Sequence, residues 1–359
     1  MELHRDQNLD VIRATAVLFV VAVHALPYIG FYEQPCVGLA YFFASMLRVV
    51  FITCVPLFLI LTGYLQNEKP ISKKYYIGIL RIVFSYIICG VLCQCFVMFV
   101  DHDEWSFKGA LLALLDFKGA PYGWYIEMYM GLFILVPLLN ILWHGLSQRQ
   151  NHIVLISMVL LTAVPSVFNN FNFNEQSFLY ATKESYTALF PDWWQGIYPV
   201  TYYYIGAYIK ENKERICAIK HLPMIFLLQI FAGGGINYLK NYEHIFPWST
   251  DTNYQGYQCL FVGPVIFVLL LKKRKIRFYQ GIEKVSKISL EIYLISYIFD
   301  RLLYHFINLI PLAFAQKLFV IPLTVGITFT ASAVTATFIN WIVQRVYVFV
   351  RNIVLCKCQ

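Results

Sequence analysis

The sequence predicts an all-α membrane protein, a polytopic bundle of about ten transmembrane helices. Of its 359 residues, 59% are apolar and only 13% are charged, and the mean hydropathy is +0.60. Soluble domains carry about 25% charged residues. The apolar residues form runs of about 17–25 residues between short polar loops, which is the length that a helix needs to cross a bilayer.

Each apolar run is predicted to be a helix, because in lipid the backbone polar groups must be paired within the segment itself. We predict helices at 11–31, 38–66, 77–100, 123–143, 152–168, 196–209, 222–239, 256–271, 288–308 and 318–345. The first run is too long for a signal peptide and lacks a small-residue cleavage site, so we expect it to be retained. The chain shows no internal repeat, and residues 1–359 are predicted to form a single domain.

Lys and Arg are distributed unequally between the two sets of loops. One set, at 67–76, 144–151, 210–221 and 272–287, holds most of the basic residues, which are Lys69, Lys73, Lys74, Arg149, Lys210, Lys213, Arg215, Lys220 and the block 272–277. Short cytoplasmic loops retain positive charge. The distribution therefore predicts an even number of helices with both termini in the cytoplasm.

The net charge of +8 does not indicate a nucleic-acid partner. The basic block at 272–277 lies at a predicted membrane boundary, where it is more typical of an anchor against anionic membrane lipid. The nine cysteines are scattered, many of them within apolar runs, and they form no zinc-binding spacing. No metal site is predicted.

An ionisable residue inside a membrane helix is costly, so it is a candidate functional residue. The candidates are Asp10, Arg13, His24, Arg48, Glu127 and Arg301. Arg48 and Arg301 are predicted to be structural partners of acidic residues, such as Asp300. A further stretch at 169–195 is rich in aromatic and amide residues, which suits either sugar contact or an interfacial aromatic belt.

The first predicted helix places Arg13 and His24 on one face. Their eleven-residue separation corresponds to three turns plus about 20°, and to about 16 Å along the helix axis. Asp10 lies one turn before Arg13 and is placed to pair with it. The shared face of Asp10, Arg13 and His24 predicts a polar path from the cytoplasmic end of the helix into the bundle. Alternatively, Asp10 and Arg13 mark the membrane boundary and His24 bonds a neighbouring backbone carbonyl.

A neutral imidazole in a low-dielectric site is a plausible general base, so His24 is the predicted catalytic base. Glu127 is the second candidate, because its carboxylate suits a sugar hydroxyl or the orientation of His24. It also suits a boundary residue whose carboxylate reaches water. The aromatic residues Tyr122, Trp124 and Tyr125, together with Asp10, are the predicted substrate-binding residues.

Five patches of the chain, in order and at the expected spacing, carry a family resemblance. They are Leu9-Asp10-x-x-Arg13 with ten residues before His24, the stretch 55–65, Lys73-Lys74-Tyr75-Tyr76 leading to Arg81-Ile82, the stretch 123–138, and the stretch 289–296. With these patches the chain resembles the acyltransferase family 3 membrane proteins, which move acyl groups, usually acetyl, onto extracytoplasmic glycans. Thr62 stands where serine is usual, and Ser296 stands where many members have histidine.

The resemblance implies ten helices, a cytoplasmic N-terminus and a multi-pass location in a bacterial cell membrane. It also implies acetyl-CoA as co-substrate, with Arg13, Lys74 and Arg81 supplying cations for the donor and with Arg13, His24 and Glu127 as catalytic residues. His24 would take the proton of an acceptor hydroxyl. Transient transfer of the acyl group to a protein side chain is the alternative within this class.

The competing prediction from another class is a transporter or flippase of a small solute or glycan, because carriers also place charged residues inside helices. Carriers often contain internal repeats with broken helices at equivalent positions. The Gly233-Gly234-Gly235 cluster and the prolines show no such symmetry. The acceptor glycan, which includes capsule, exopolysaccharide and lipid-linked sugar as candidates, is not determined by the sequence.

Overall fold

The structure is a computed structural model that describes residues 6–100, 106–169, 188–247, 252–272 and 276–356. These residues form α-helices, one 3₁₀ helix and two isolated β-bridges, Pro35–Ile245 and Cys36–Tyr242. Most of the aromatic and amide-rich stretch predicted at 169–195, and the centre of the basic block at 272–277, lie outside the described residues.

The described part of the chain contains fifteen α-helices. In order they are α1 (Gln7–Tyr28), α2 (Gly38–Phe51), α3 (Cys54–Gln66), α4 (Lys73–Ile77), α5 (Ile79–Val100), α6 (Phe107–Leu115), α7 (Trp124–Gly145), α8 (Gln148–Phe168), α9 (Tyr198–Glu211), α10 (Lys213–Cys217), α11 (Leu222–Lys240), α12 (Tyr257–Leu271), α13 (Tyr279–Lys287), α14 (Ser289–Asn308) and α15 (Phe314–Cys356). The 3₁₀ helix, Trp193–Ile197, precedes α9.

Seven described helical segments are long and apolar enough to cross a membrane. They are Gln7–Tyr28, Gly38–Gln66, Lys73–Val100, Trp124–Gly145, Gln148–Phe168, Leu222–Lys240 and Phe314–Val354. The predicted all-helical membrane bundle is therefore confirmed. The count of ten crossings and the cytoplasmic termini stay predictions: α9 has 14 residues and α12 has 15, fewer than the roughly 20 needed to span, and α14 carries three charged residues.

Every predicted helix has a counterpart, but two of them are interrupted. The predicted helix 38–66 divides at residues 52–53 into α2 and α3. The Thr53 hydroxyl donates to the carbonyl of Val50 at 2.6 Å, a local bond that competes with the helical pattern. The predicted helix 77–100 is preceded by the short helix α4 with a break at Gly78. The last helix extends well past the predicted boundary of 345.

Three described helices, α6, α10 and α13, lie wholly in segments predicted to be loops, and α6 and α13 are the longer two. The hydroxyl of Ser106 caps α6 by accepting from the backbone N–H of Gly109. Helix α13 begins after Phe278, whose φ of 56° is left-handed. Both helices are nine residues long. They are too short to cross a membrane, so a search for apolar runs of spanning length does not find them.

Helix α1 lies at the centre of the bundle and packs against α2, α3, α12, α13, α14 and α15. Its small and branched residues are buried along most of its length, among them Ala16, Val17, Ala25 and Leu26. Because six helices pack against α1, most of its surface is covered by protein.

Helices α3 and α9 approach each other closely because each has a glycine at the contact. A Cβ at Gly63 would lie 1.9 Å from the Tyr203 carbonyl oxygen, and one at Gly206 would lie 2.1 Å from the Ile60 carbonyl oxygen. The Tyr203 hydroxyl donates to Asn140 Oδ1 at 2.6 Å, and the Asn140 amide donates to the carbonyl of Gln66 at 2.7 Å. These contacts fix the end of α3 that bears Thr62 and Gln66.

Arg48 is fully buried, and it contacts a hydroxyl, a backbone carbonyl and aromatic rings, while its predicted pairing with an acid stays a prediction. Its Nε donates to the Tyr32 hydroxyl at 2.8 Å, and its Nη1 donates to the Thr252 carbonyl at 2.9 Å. The guanidinium carbon lies 4.7 Å from the centre of the Phe246 ring, a distance typical of a cation–π contact. Arg48 thus ties α2 to the loops beside it.

We predict that Gly206→Ala destabilises the protein, because the new methyl group would overlap the backbone of Ile60. Overpacking of this kind costs about 1–3 kcal/mol, and a backbone neighbour leaves little room for relief. Thermal unfolding in detergent measures the effect. Gly235→Ala on α11 is the matched control, since nothing in the described residues lies within 4 Å of its Cβ position. Equal melting temperatures for the two variants would contradict the close crossing.

Candidate active site

A cavity of about 300 Å³ lies among α1, α3, α5, α7 and α14. Its wall is mainly apolar, with residues such as Val20, Phe58 and Leu290. The charged and polar groups concentrate toward the two ends. We call the end with Arg13, Arg81 and Ser289 the arginine end, and the end with Trp124, Tyr125 and Tyr254 the aromatic end.

Arg13 and His24 both line this cavity. They lie on the continuous helix α1, Gln7–Tyr28, so about 16 Å of helix rise separates them. Arg13 lies at the arginine end, and His24 lies against Tyr122, two residues before the start of α7. The cavity therefore connects a guanidinium near the beginning of α1 with an imidazole near its end.

Helix α13 contacts the Arg13 guanidinium through the hydroxyl of Ser286. The Arg13 Nη1 donates to the Ser286 hydroxyl at 3.0 Å and lies 3.8 Å from Asp10 Oδ1. The Asp10 carboxylate accepts from the Ser286 hydroxyl at 2.6 Å and from the Tyr279 hydroxyl at 2.9 Å. Asp10 is only 2% exposed and stands behind Arg13. Its geometry favours positioning of Arg13, while its predicted contact with substrate stays a prediction.

Arg81 also lines the arginine end, whereas Lys74 does not. The Arg81 Nη2 donates to the Lys287 carbonyl at 3.0 Å and to Asn340 Oδ1 at 3.1 Å, which links α5 to α13 and α15. Lys74 is exposed on the short helix α4. The structure thus brings Arg13 and Arg81 together at one cavity mouth and leaves Lys74 outside it.

Thr62, Gln66 and Tyr129 add polar groups to the cavity wall near the arginine end. The Gln66 amide donates to the Tyr129 hydroxyl at 3.3 Å, and the Thr62 hydroxyl donates to the carbonyl of Phe58 at 2.8 Å. Sequence reasoning did not select Gln66 or Tyr129. The available signal was the four-residue spacing of Tyr125, Tyr129 and Phe133, which puts aromatic residues on one face of α7.

The His24 ring stacks on the Tyr122 ring, with 3.6 Å between the ring centres and 22° between the planes. The Nδ1 atom of His24 is buried and has no hydrogen-bond partner among the described residues. Glu127 is exposed at the start of α7 and does not bond Nδ1. Its predicted catalytic role stays a prediction, and it is not part of the described cavity wall.

The aromatic end is built from three separate parts of the chain. Trp124 stacks on Tyr254 with 5.0 Å between the ring centres, and Tyr125 meets the edge of Tyr293 at 6.1 Å. Trp124 and Tyr125 begin α7, whereas Tyr254 precedes α12 and Tyr293 lies in α14. Sequence reasoning selected Trp124 and Tyr125 but missed Tyr254 and Tyr293, because no local pattern links them to α7.

Charge is unevenly distributed between the two ends of the cavity. The arginine end presents two guanidinium groups, and the nearby carboxylates of Asp10 and Glu291 are buried behind the wall. Glu291 accepts from the Ser85 hydroxyl at 2.7 Å. Guanidinium groups bind phosphate in a bidentate manner. The arginine end is therefore suited to an anionic ligand, and the apolar middle is suited to a thin uncharged one.

Within the described residues, no group of three or more His, Cys, Asp or Glu side chains is arranged to hold a metal ion. The polar groups that face the cavity are cations, hydroxyls, an amide and one imidazole. This set provides proton transfer and anion binding from the side chains themselves.

The fold and the cavity define a multi-pass membrane protein with a site enclosed by its helices. A family model described as an acyltransferase domain matches residues 6–342, nearly the whole chain. The chain therefore belongs to the acyltransferase family 3, and it is a membrane acyltransferase. No curated protein and no solved structure matches the chain. The family resemblance of the five sequence patches is confirmed.

We predict that Asp10→Ala destabilises the protein by at least about 2 kcal/mol. Tyr279 and Ser286 would each lose a hydrogen bond to this carboxylate, and Arg13 would lose its ion pair. A hydrogen bond to a charged group contributes about 1.5–3 kcal/mol. The measurement is thermal or denaturant unfolding in detergent. The control is Glu283→Ala on α13, which breaks the partly exposed pair of Glu283 with Lys287 and should cost about 0–1 kcal/mol. Losses of the same size for both variants would contradict the role of Asp10 in holding α1 and α13 together.

Proposed function

We propose that this membrane acyltransferase moves an acetyl group from acetyl-CoA to a hydroxyl of an extracytoplasmic glycan. The observation that carries the proposal is that Arg13 and His24 line one cavity from opposite ends of α1. A donor bound at one end and an acceptor bound at the other can meet inside such a cavity. Membership of the acyltransferase family 3 supports the class of reaction.

The arginine end is the proposed donor site. CoA carries several phosphates, and Arg13 and Arg81 offer guanidinium groups at the same mouth. Arginine binds phosphate oxygens through two parallel N–H bonds, where lysine acts as a point charge. The exposed Lys74 lies outside the cavity wall, so its proposed part is attraction of the donor from a distance rather than direct contact.

His24 is the proposed general base. The imidazole takes the proton from the acceptor hydroxyl, the oxygen attacks the thioester carbonyl, and the carbon–sulfur bond breaks. The imidazolium then gives its proton to the CoA thiolate, so that the reaction consumes and releases no net proton. A positioned general base contributes about 10²–10⁴-fold to such a step. Transient acylation of a protein side chain remains the alternative route.

The aromatic end is the proposed acceptor site. Trp124 is 37% exposed and stacks on Tyr254, and Tyr125 lies beside it on the cavity wall. Flat aromatic faces with neighbouring hydroxyls suit the apolar face and the hydroxyl rim of a sugar ring. Exopolysaccharide, capsule and lipid-linked sugar are the candidate acceptors.

We propose ten crossings with both termini in the cytoplasm of a bacterial cell. This orientation rests on the positive charge of the loops at 67–76, 144–151, 210–221 and 272–287. It places the beginning of α1, and with it Arg13, on the cytoplasmic side where acyl-CoA is present. The aromatic end would then face the side where surface glycans are assembled.

Purified protein in lipid nanodiscs, supplied with radiolabelled acetyl-CoA and cell-surface glycan, tests the proposal directly. Label recovered on the glycan and lost on mild base treatment, which cleaves esters, is the expected result. A transporter or flippase would leave the glycan unlabelled. An unlabelled glycan would overturn the proposed reaction, provided that a thermal-unfolding measurement shows the protein to be folded.

We predict that His24→Ala lowers acetyl transfer by about 10²–10⁴-fold, because the acceptor hydroxyl loses its general base. Expression and melting temperature should stay close to those of the wild type. The matched control is His305→Ala, at the far end of α14 and outside the described cavity wall, which should transfer normally. Full activity of the His24 variant would remove His24 from the mechanism.

We predict that Arg13→Ala weakens donor binding by at least tenfold, which corresponds to about 1.4 kcal/mol. Arg13→Lys should restore only part of the affinity, because lysine lacks the bidentate fork. Equilibrium binding of acetyl-CoA measures the effect. Arg345→Ala serves as control, since this exposed arginine lies on α15 over Trp341. Unchanged donor affinity in both Arg13 variants would refute the role of this cation.

A further inference from the structure

His24 lacks the hydrogen bond that usually orients a catalytic histidine. In most sites that use an imidazole, one ring nitrogen donates to a carboxylate or a carbonyl, and that bond fixes the ring orientation. Here Nδ1 is buried and has no partner among the described residues. Glu127, the acid that the sequence suggested for orienting His24, is exposed instead. Another contact must therefore hold the ring.

The ring of Tyr122 supplies that contact. It lies nearly parallel to the imidazole, with 3.6 Å between the centres, and one face of His24 is therefore covered. The edge-on ring of Tyr297 packs against Tyr122 at 5.4 Å and 89°. Tyr122 is thus held between an imidazole and a second tyrosine, and rotation of either stacked ring would break the contact.

The hydroxyl of Tyr122 is anchored away from the cavity. It donates to Asp300 Oδ2 at 3.1 Å and lies 3.5 Å from the Tyr28 hydroxyl. Asp300 is 1% exposed and belongs to α14. Tyr28 lies one turn after His24 on α1 and stacks on Tyr304 at 4.9 Å. The anchor therefore joins the loop before α7 to both α1 and α14.

The described cavity wall does not include Tyr122, although it includes both of its neighbours, His24 and Trp124. One face of the Tyr122 ring is occupied by His24, and the hydroxyl is occupied by Asp300. These two contacts leave less of Tyr122 open to a substrate, and the substrate contact that the sequence suggested stays a prediction. The geometry favours a role that is exerted through His24.

We propose that Tyr122 is a positioning residue: its ring sets the orientation of the His24 imidazole, and Asp300 locks the Tyr122 hydroxyl. This role rests on the proposed function of His24 as general base. A reacting group must be held close to its productive geometry, and a displacement of about 1 Å can cost about 10²-fold in rate. Loss of the stacked ring frees the imidazole to turn about its own side-chain bonds.

The experiment compares Tyr122→Leu and Tyr122→Phe with the wild type in the acetyl-transfer assay, with kcat and KM determined for both substrates. Tyr122→Leu removes the ring, and its kcat should fall by about 10²-fold while both KM values change by less than about twofold. Tyr122→Phe keeps the ring and loses only the anchor, so it should recover most of that loss. A rise in the acceptor KM with unchanged kcat would make Tyr122 a substrate contact and overturn the proposal.

Asp300→Asn tests the anchor separately. The asparagine keeps an acceptor oxygen for the Tyr122 hydroxyl, so kcat should stay within about threefold of the wild type if only the hydrogen bond is needed. Asp300→Ala removes the acceptor and should match Tyr122→Phe. A full loss of activity in Asp300→Ala with normal activity in Tyr122→Phe would show that Asp300 acts by another route and would overturn its part in the proposal.

The control variant is Tyr86→Leu. Tyr86 is also a buried tyrosine, its hydroxyl donates to the Leu114 carbonyl at 3.0 Å, and it lies outside the described cavity wall. It should lose stability without the selective fall in kcat. If Tyr86→Leu and Tyr122→Leu lose kcat equally, the effect of Tyr122 is general packing and the positioning role is refuted.

A second readout separates failure of this proposal from failure of the proposed function. Diethyl pyrocarbonate acylates accessible imidazole nitrogens, and mass spectrometry of the His24 peptide measures the rate without any acetyl transfer. The rate should increase in Tyr122→Leu, where Nδ1 is no longer held against the protein, and stay unchanged in Tyr86→Leu. An unchanged rate in Tyr122→Leu would overturn the positioning role, whereas absent glycan labelling with an increased rate would overturn only the acetyl transfer.

Discussion

Burial of the Asp10 carboxylate beside the Arg13 guanidinium is the constraint around which this structure is arranged. Lipid cannot solvate Arg13, so protein groups must surround it and balance its charge. Asp10, one turn earlier on α1, and Ser286 on α13 do so. Because the balancing acid is itself almost fully buried, helix α13 has to close over the beginning of α1. The central position of α1 therefore follows from its own polar residues as much as from its apolar ones.

The same constraint explains why the two ends of the cavity differ. At the arginine end the carboxylates stand behind the wall, bound to hydroxyl groups, so that the guanidinium groups face inward. A ligand that enters there meets net positive charge. At the aromatic end, uncharged rings and hydroxyls form the wall. A sugar can cover this wall without burying an unpaired charge. One helix thus joins the proposed donor site to the proposed acceptor site.

The sequence predicted the elements whose signal is periodic and missed those whose partners are distant along the chain. The eleven-residue spacing of Arg13 and His24 follows directly from the helical repeat, and both residues line one cavity. Helix α13 was missed because it is short and amphipathic, and its function depends on Ser286 meeting Asp10 across 276 residues. Tyr254 was missed for the same reason, since only the folded chain brings it to Trp124. Hydropathy predicts where helices lie, and it contains no information about which loop covers which helix end.

A tyrosine ring beside His24 suits a site of low dielectric constant inside the helix bundle. A carboxylate in direct contact with the imidazole would bring a second charge into a low-dielectric site, with a desolvation cost that an ion pair recovers only in good geometry. A stacked ring fixes orientation without adding charge. The carboxylate of Asp300 is one residue further away, where it accepts a hydrogen bond from the Tyr122 hydroxyl rather than from the imidazole. The imidazole therefore has an aromatic ring rather than a charged group stacked on it, and a neutral imidazole is the form that accepts a proton from an alcohol. In the proposed arrangement the ring of Tyr122 provides the orientation, and the imidazole of His24 provides the basic nitrogen.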